Sequence, residues 1–548
     1  MPRPAFWWLN DISRRYLSVD YLLNGQSGED RVGFVSSAAA KRLGRPEFAE
    51  KLYDYVSRGW ISFSSPVWSN YGMTRGMPIS CFGTYVEDDT RSILRAHVEV
   101  GMMSKHGGGT SLFMDPVRPR GSVIRDNGTS LGTLPFAQMF ETEIKVISQG
   151  SSRRGECATY WGIEHHDLDD VLKIRTPENP FDIYKLSYGV TIPTPWMESM
   201  LAGDEAKRTR WAKVVQSRMK TGYPYLIFID NARKAQPKEY SELGLSINHS
   251  NLCTEIFLSN GPQESFVCCL SSMNMFLYDE WKDTDAVETA VYFLDTVMSE
   301  FIEKARDEYG FDRAVRFAER QRALGLGQLG WHGYLQANRI PFDSPEANGL
   351  AARTSKTIRD QAFSASAKMA AEYGEPMYLK GKGRRHMTMT AIAPNQSSAA
   401  ILGQMTESTD PLLANFTIKD KQKVKYTYKN PLLLELLAEK GKDAPDVIRS
   451  VFDKQGSVQH LDFLTPLEKA VFKTHREINP MSQVQQSAAR VPYVCQGQSM
   501  NLLVDPNADL KQVNKVYIEA WKLGVKSIYY QKNISAAQEL TSCRACEG

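Results

Sequence analysis

Apolar residues recur at helical spacing from Ala38 to Trp60, and residues 1–60 as a whole read as a helical segment ending near Gly59. The texture changes at about residue 61. Residues 62–68 and 80–86 are short apolar runs of the kind that form buried strands, and Arg91 to Met103 returns to helical spacing. Strand-like and helix-like segments then alternate to about residue 530, the order of an α/β fold. Long helices are predicted over 285–307 and 345–373. Lys421 to Val458, rich in leucine and charge, reads as helices outside the core. From Gln531 to Gly548 there is little to bury, which predicts a mobile tail. The predicted organisation is a helical segment (1–60), an α/β body (61–530) and a tail (531–548), with no internal repeat.

A chain of 548 residues has room for one large core or for several domains. Its net charge of +3 argues against a dedicated polynucleotide binder and leaves room only for a local basic cleft. The apolar start is soon interrupted by Asn10, Asp11, Arg14 and Arg15, and no stretch is long enough to cross a bilayer. This predicts a cytoplasmic protein in a reducing compartment. There, eight cysteines do not read as a disulfide framework. Taken singly, each is most simply a small buried apolar residue. Their spacing suggests more.

Asn251-Leu-Cys253-Thr-Glu255 places an amide, a thiol and a carboxylate at alternate positions, on one face if the segment is extended. A carboxylate beside a thiol raises the thiol's pKa, so Cys253 is ill suited to act as a thiolate nucleophile. The trio suits a neutral thiol that loses a hydrogen atom, with Glu255 as base for a nearby hydroxyl. The plainer alternative is a polar strand edge with a buried cysteine. Cys81 and Cys268 are candidates for a two-electron dithiol. Of the adjacent Cys268 and Cys269, only one faces a given site in an extended segment. Cys543-Arg-Ala-Cys546 is a CxxC on the predicted tail, placed to exchange with a disulfide elsewhere. Half of a zinc site is the alternative, but no second CxxC and no nearby histidine completes it.

These residues, with Cys268-Cys-Leu-Ser-Ser-Met-Asn274, Ser80-Cys81, Leu324-Gly-Leu-Gly327, Pro394-Asn-Gln-Ser-Ser398 and Val525-Lys-Ser-Ile-Tyr-Tyr530, resemble the large (α) subunit of ribonucleotide reductase, in the family's order. The resemblance implies a ten-stranded α/β barrel of two five-stranded halves with a central finger loop. It implies reduction of ribonucleotides, most readily the diphosphates, to 2′-deoxyribonucleotides. Cys253 would carry a thiyl radical, Glu255 and Asn251 would act on the 3′-hydroxyl, and Cys81 and Cys268 would be the reducing pair. Tyr529-Tyr530, otherwise ordinary core aromatics, resembles the radical-transfer pair of class I enzymes, which the adenosylcobalamin-dependent class II does without. The implied partners are a small (β) subunit whose metallo-cofactor supplies the radical, and thioredoxin or glutaredoxin for Cys543 and Cys546. An inactive nucleotide-binding homologue is the rival reading from another class.

The resemblance extends to binding sites. Pro394, Asn395, Gln396, Ser397 and Ser398 precede or open a helix and would hold the substrate's diphosphate, with Ser64, Ser65 and Ser80 as further contacts. Strand-end capping is the alternative for the serines. Many relatives have Glu where this chain has Gln396. Asp88, Ser92 and Arg118 match effector (dNTP or ATP) contacts. Residues 148–155 resemble the loop linking effector to substrate, where Arg154 is favoured over Arg153. Lys105-His-Gly-Gly-Gly-Thr-Ser111 lacks the Walker spacing and is no ATPase loop. Cys157 has no role in this scheme. His165-His166-x-x-Asp169 reads as a solvated helix start, and no metal is expected in the chain. With Cys81 so close to the start, an N-terminal ATP-cone and its dATP shut-off are not expected. Whether a homodimer forms is left open.

Overall fold

The computed structural model describes residues 3–23, 25–147, 155–421, 424–505 and 508–533. Three helices, Asp11–Asp20, Gly28–Leu43 and Glu47–Ser57, lead into strand β1 (Ile61–Phe63). Then come β2 (Cys81–Tyr85), β3 (Gly109–Phe113), β4 (Glu156–Gly162), β5 (Ser187–Ile192), β6 (Tyr225–Phe228), β7 (Phe266–Asn274) and β8 (Leu324–Leu329). A hairpin of β9 (Phe416–Lys421) and β10 (Val424–Lys429) follows, and β11 (Leu502–Val504), β12 (Ser527–Ile528) and β13 (Gln531–Asn533) close the series.

The ladders define a barrel. β2 to β6 pair in sequence order, all parallel. β7 pairs parallel with β8, β8 bridges in parallel to Thr390, and Ile392 bridges in parallel to Gln498. β11, continuing from that last segment, runs parallel to β13. The two parallel runs meet antiparallel at β2–β7 and at β6–β12. Backbone bonds from Tyr529 N to Met500 O (3.1 Å) and from Leu502 N to Tyr530 O (3.0 Å) complete the circuit. With 388–392, 496–504 and 527–533 each taken as one strand, ten strands stand around the barrel, five parallel in each half. β1 lies outside the circuit, antiparallel to β7.

β3, β5, β6 and β8 are buried at every residue, as expected when both sheet faces are covered. One apolar core joins the N-terminal helices, β7, β8 and the long helix Ala286–Ala305; a second lies around β3 to β6. A small third core sits under the β9–β10 hairpin and the helices that follow it.

Several elements depart from the periodicity reading. The helix predicted from Ala38 to Trp60 is two helices, because Gly44 takes a left-handed cap (φ 67°) and Pro46 restarts the chain. The run 62–68 is strand only to Phe63, since Pro66 in the first turn begins helix Ser65–Asn70. The stretch 421–458 contains β10 before helices Pro431–Glu439 and Pro445–Asp453. Gln531, placed in a loose tail by its polarity, is buried in β13. Helix Pro345–Tyr373 coincides with the predicted 345–373. No helix among the described residues is long and apolar enough to cross a membrane.

Candidate active site

Between helix Lys238–Glu242 and β7 the chain leaves the barrel wall and runs inside it as an irregular loop. Its tip is the pentad. The segment is not extended, so the alternation argument fails; Thr254 has φ 65° and the chain turns there. Asn251 itself makes the turn: its Oδ1 accepts from Glu255 N and from Ile256 N, both at 3.1 Å. That leaves Asn251 Nδ2 as a buried donor with no hydrogen-bond partner. Both halves of the barrel hold the tip. Tyr160 on β4 donates to Asn251 O (2.5 Å), Gly497 N to Glu255 O (2.7 Å) and Ser527 Oγ to Thr254 O (2.8 Å). The single Ser499 hydroxyl proton is shared between Cys253 O and Glu255 Oε2 (3.1 Å).

Burial disfavours the charged form of Glu255 and raises its pKa to about 7, against the opposing pull of its own backbone N–H, the nearby Asn251 amide and the Ser499 hydroxyl. It is thus poised to gain or lose a proton near neutrality.

Cys81 and Cys268 face each other directly in the antiparallel β2–β7 register. Such partners have Cα atoms about 4.5–5.5 Å apart, inside the range a disulfide requires. Neither is disulfide-bonded, and Cys268 is buried and Cys81 half-buried. Burial, then Cys269, Cys81 and Glu255, push the Cys268 thiol well above its ordinary pKa, while Gln496 Nε2 donates to its sulfur at 3.4 Å. A Cβ on Gly325 would come within 3.0 Å of Cys268 Sγ, which explains a glycine there. Cys269 sends its thiol to Leu294 O (3.4 Å) on the neighbouring helix, so the adjacent cysteines part as alternation requires.

Helix Gln396–Ile401 begins at Asn395, which has φ 55°. Asn395 Oδ1 accepts from Ser272 on β7, its Nδ2 donates to Gln328 O on β8, and Ser398 Oγ donates to Phe63 O at the end of β1. Pro394, Gln396, Ser397 and Ser398 therefore lie beside Ser64 and Ser65, where Ser65 Oγ is buried without a hydrogen-bond partner. Ser80 directly precedes Cys81, and its carbonyl accepts from Gly109 N (2.6 Å). Gly108 is packed against Phe82 and the carbonyl of Met103, so 105–111 is a tight backbone crossing.

Tyr529 and Tyr530 follow β12, two residues after the Ser527 that touches the finger. Their rings lie 4.3 Å apart, Tyr529 buried and Tyr530 partly so. Sequence reasoning missed Tyr223 and Tyr225. Tyr225 lies 4.8 Å from Tyr529 and 5.2 Å from Tyr530, and Tyr223 donates to Tyr530 Oη at 2.8 Å. The only signal in the chain is the spacing Tyr223-Pro-Tyr225 at a strand start, and nothing there points to residues three hundred positions on.

On the outer surface Arg118 Nε pairs with Asp88 (2.8 Å), and Ser92 lies in the first turn of helix Thr90–Lys105, its hydroxyl accepting from Glu87 N. Arg154, Cys543 and Cys546 lie outside the described residues. His165 is a correction. It is buried rather than solvated, its Nε2 beside Val117 O (3.0 Å) and its Nδ1 accepting from Asp167 N. Among the described residues no three His, Cys, Asp or Glu cluster as metal ligands.

A barrel of two parallel five-stranded halves is threaded by a thiol-bearing finger, and two further thiols face each other in the register of its wall. The comparisons agree with that architecture. The model of the ribonucleotide reductase barrel domain matches residues 79–210, 205–379 and 377–531. A Frog virus 3 protein named for the large subunit of ribonucleoside-diphosphate reductase is 35% identical over 95% of this chain and 96% of its own length. The corresponding large subunit of Invertebrate iridescent virus 3 is 31% identical, covering 88% and 87%. The solved class Id ribonucleotide reductase alpha subunit of Actinobacillus ureae superposes with a TM-score of 0.92 at 48% identity, over 99% of this chain and all of that one. The chain belongs to the ribonucleotide reductase large-subunit family and is the catalytic subunit of a ribonucleoside-diphosphate reductase of class I.

Proposed function

We propose that the reaction runs through a radical at Cys253. As a thiyl it takes the 3′-hydrogen of the ribose, and Glu255 removes the 3′-hydroxyl proton. The unpartnered Nδ2 of Asn251 supports a hydrogen bond to that same oxygen. The 2′-hydroxyl leaves as water, and Cys81 and Cys268 supply two electrons and end as a disulfide, while the 3′-hydrogen returns from Cys253. Ribonucleotide plus dithiol thus becomes deoxyribonucleotide, disulfide and water. The observation that carries this reading is the placement of Cys81 opposite Cys268 at the barrel wall, with Glu255 close enough to raise the Cys268 pKa.

The radical arises in a small (β) subunit with a metallo-cofactor and reaches Cys253 through Tyr530 and Tyr529. Cys543 and Cys546 re-reduce the disulfide and are themselves reduced by thioredoxin or glutaredoxin. Pro394, Asn395, Gln396, Ser397 and Ser398 hold the diphosphate with Ser64, Ser65 and Ser80, and Asp88, Ser92, Arg118 and Arg154 contact an effector nucleotide. The cytoplasm is the setting this reductant chemistry requires.

The test is CDP reduction by the chain with its small subunit, and separately with adenosylcobalamin alone. Product only with the small subunit supports the relay, and product with cobalamin alone overturns it. Cys253→Ser should lower turnover at least about a thousandfold, as for a group on which the chemistry depends, while nucleotide binding is retained. Surviving turnover would sink the thiyl mechanism.

A further inference from the structure

The sulfur of Cys268 meets a side chain from far along the sequence. Gln496 is fully buried, and its Nε2 lies 3.4 Å from Cys268 Sγ, 2.9 Å from Leu324 O and 3.0 Å from Thr388 Oγ1. A carbonyl only accepts, so the contact with Leu324 O fixes the nitrogen of the amide, rather than its oxygen, on this side. The main chain is pinned as well. Gln496 N donates to Thr390 O (3.1 Å), and the buried Lys526 ammonium donates to the carbonyls of Val494, Cys495 and Gln496. The Cys268 S–H has Cys269 O within 3.8 Å, which leaves the sulfur's lone pairs to accept from the amide. Burial, Cys269, Cys81 and Glu255 all oppose negative charge on that sulfur, and the Gln496 amide favours it.

We propose that Gln496 stabilises Cys268 as the leaving thiolate when the Cys81–Cys268 disulfide is reduced, and so directs the incoming thiolate onto Cys81. This rests on the dithiol reading above. Access points the same way, since Cys81 is half-buried and Cys268 is 1% exposed. A thiolate of an external dithiol attacks Cys81 Sγ and forms a new S–S bond to it. The Cys81–Cys268 bond breaks, and its electron pair leaves on Cys268 Sγ, which then takes a proton. The reductant's second thiolate attacks its own sulfur in the mixed disulfide and releases Cys81, which is protonated in turn. The dithiol ends as a disulfide and the enzyme pair as two thiols. Exchange is faster the better the leaving sulfur holds charge, and a hydrogen bond to a charged acceptor is about twice as strong as one to a neutral acceptor. The amide therefore acts while the bond is breaking and does little for the neutral thiol that results.

The test uses the full chain carrying Cys543→Ser and Cys546→Ser, so that an added thiol is the reductant. One turnover of CDP with the small subunit and no reductant should link Cys81 to Cys268, and acid-quenched peptides report the link by mass. Dithiothreitol should then reduce it about tenfold more slowly in Gln496→Met, the scale of one hydrogen bond. Methionine keeps the volume, and Leu324 O keeps the Thr388 hydroxyl (3.2 Å) as a donor. The equilibrium with dithiothreitol at pH 7 should not move, because Cys268, its pKa held well above the ordinary value, ends neutral. With Gln496 in place, excess 2-mercaptoethanol quenched in acid should leave its mixed disulfide on Cys81. An unchanged rate, an equilibrium that shifts as far as the rate, or a mixed disulfide on Cys268 would overturn the assignment and leave the dithiol standing. Cys81 and Cys268 unlinked after a turnover would overturn the dithiol reading, and this proposal with it.

Discussion

The finger tip and the tyrosine corner lie two residues apart along the last barrel strand, 527–533, through Ser527 and Tyr529, yet they are built on different principles. At the tip, named hydrogen bonds from β4, Gly497, Ser499 and Ser527 fix the backbone around Cys253, and a buried carboxylate sits among them. At the corner, ring packing sets the geometry, with centroids 4.3–5.2 Å apart and a hydroxyl pair at its outer end. The tip carries a charge that titrates and is therefore sensitive to each donor around it. At the corner what matters is ring contact and one well-aimed bond. Polar deletions at the tip should therefore move pH profiles, and loss of the carboxylate itself should cost orders of magnitude. Polar deletions at the corner should leave those profiles in place.

The largest effect expected is at Glu255. A base works only when ionised, so with its pKa near 7 kcat/KM should rise with pH through about 7 and level off above it. Glu255→Gln should remove that limb and cost about 10²- to 10⁴-fold, the usual weight of a general base. The variant measured from pH 6 to 9 decides this. A limb that persists in Glu255→Gln belongs to another group, and the contrast between tip and corner then loses its charge.

Next in size is the wall behind the dithiol. Gly325→Ala places a methyl 3.0 Å from Cys268 Sγ and 2.5 Å from Leu270, tighter than packed atoms tolerate. The expected cost is about 1–3 kcal/mol of stability, read by denaturant unfolding. A turnover loss larger than that instability explains should accompany it, because the sulfur must shift from its partner. Normal disulfide formation between Cys81 and Cys268 in the variant would mean that the glycine serves strand packing alone.

The chain disclosed these two regions unequally. Helix Pro345–Tyr373 could be read to the residue, because Ser344 and Pro345 mark its start and Gly374 its end. The barrel's last strands could not. Residues 388–392 and 496–500 are buried on both sides and irregular, so they carry neither period two nor helical period. At the tip, the grouping of Asn251, Cys253 and Glu255 stood out in the sequence while their geometry was misread. A side-chain-to-backbone bond made by Asn251 bends the segment, and periodicity has no term for it. The opposition of Cys81 and Cys268 is a matter of strand register between distant segments, and Tyr223 reaches Tyr530 through the same kind of long-range pairing.

The finest test of the comparison is Ser499→Ala. Its hydroxyl donates to Glu255 Oε2 at 3.1 Å and so favours the ionised carboxylate. Removing it should push the Glu255 pKa further up, so the rising limb of kcat/KM moves to higher pH. At pH 7 fewer molecules hold the ionised base and the rate falls a few-fold, and it recovers as the pH is raised beyond the displaced limb. The lost bond to the Cys253 carbonyl should add about 0.5–1.5 kcal/mol of instability, separable by unfolding at fixed pH. Tyr223→Phe removes a hydroxyl of similar size from the other region and should leave the limb unmoved, because that bond does not touch Glu255. If both variants shift the limb, or neither does, the two regions do not differ in the way their hydrogen bonds imply, and ionisation of Glu255 is not what the pH profile reports.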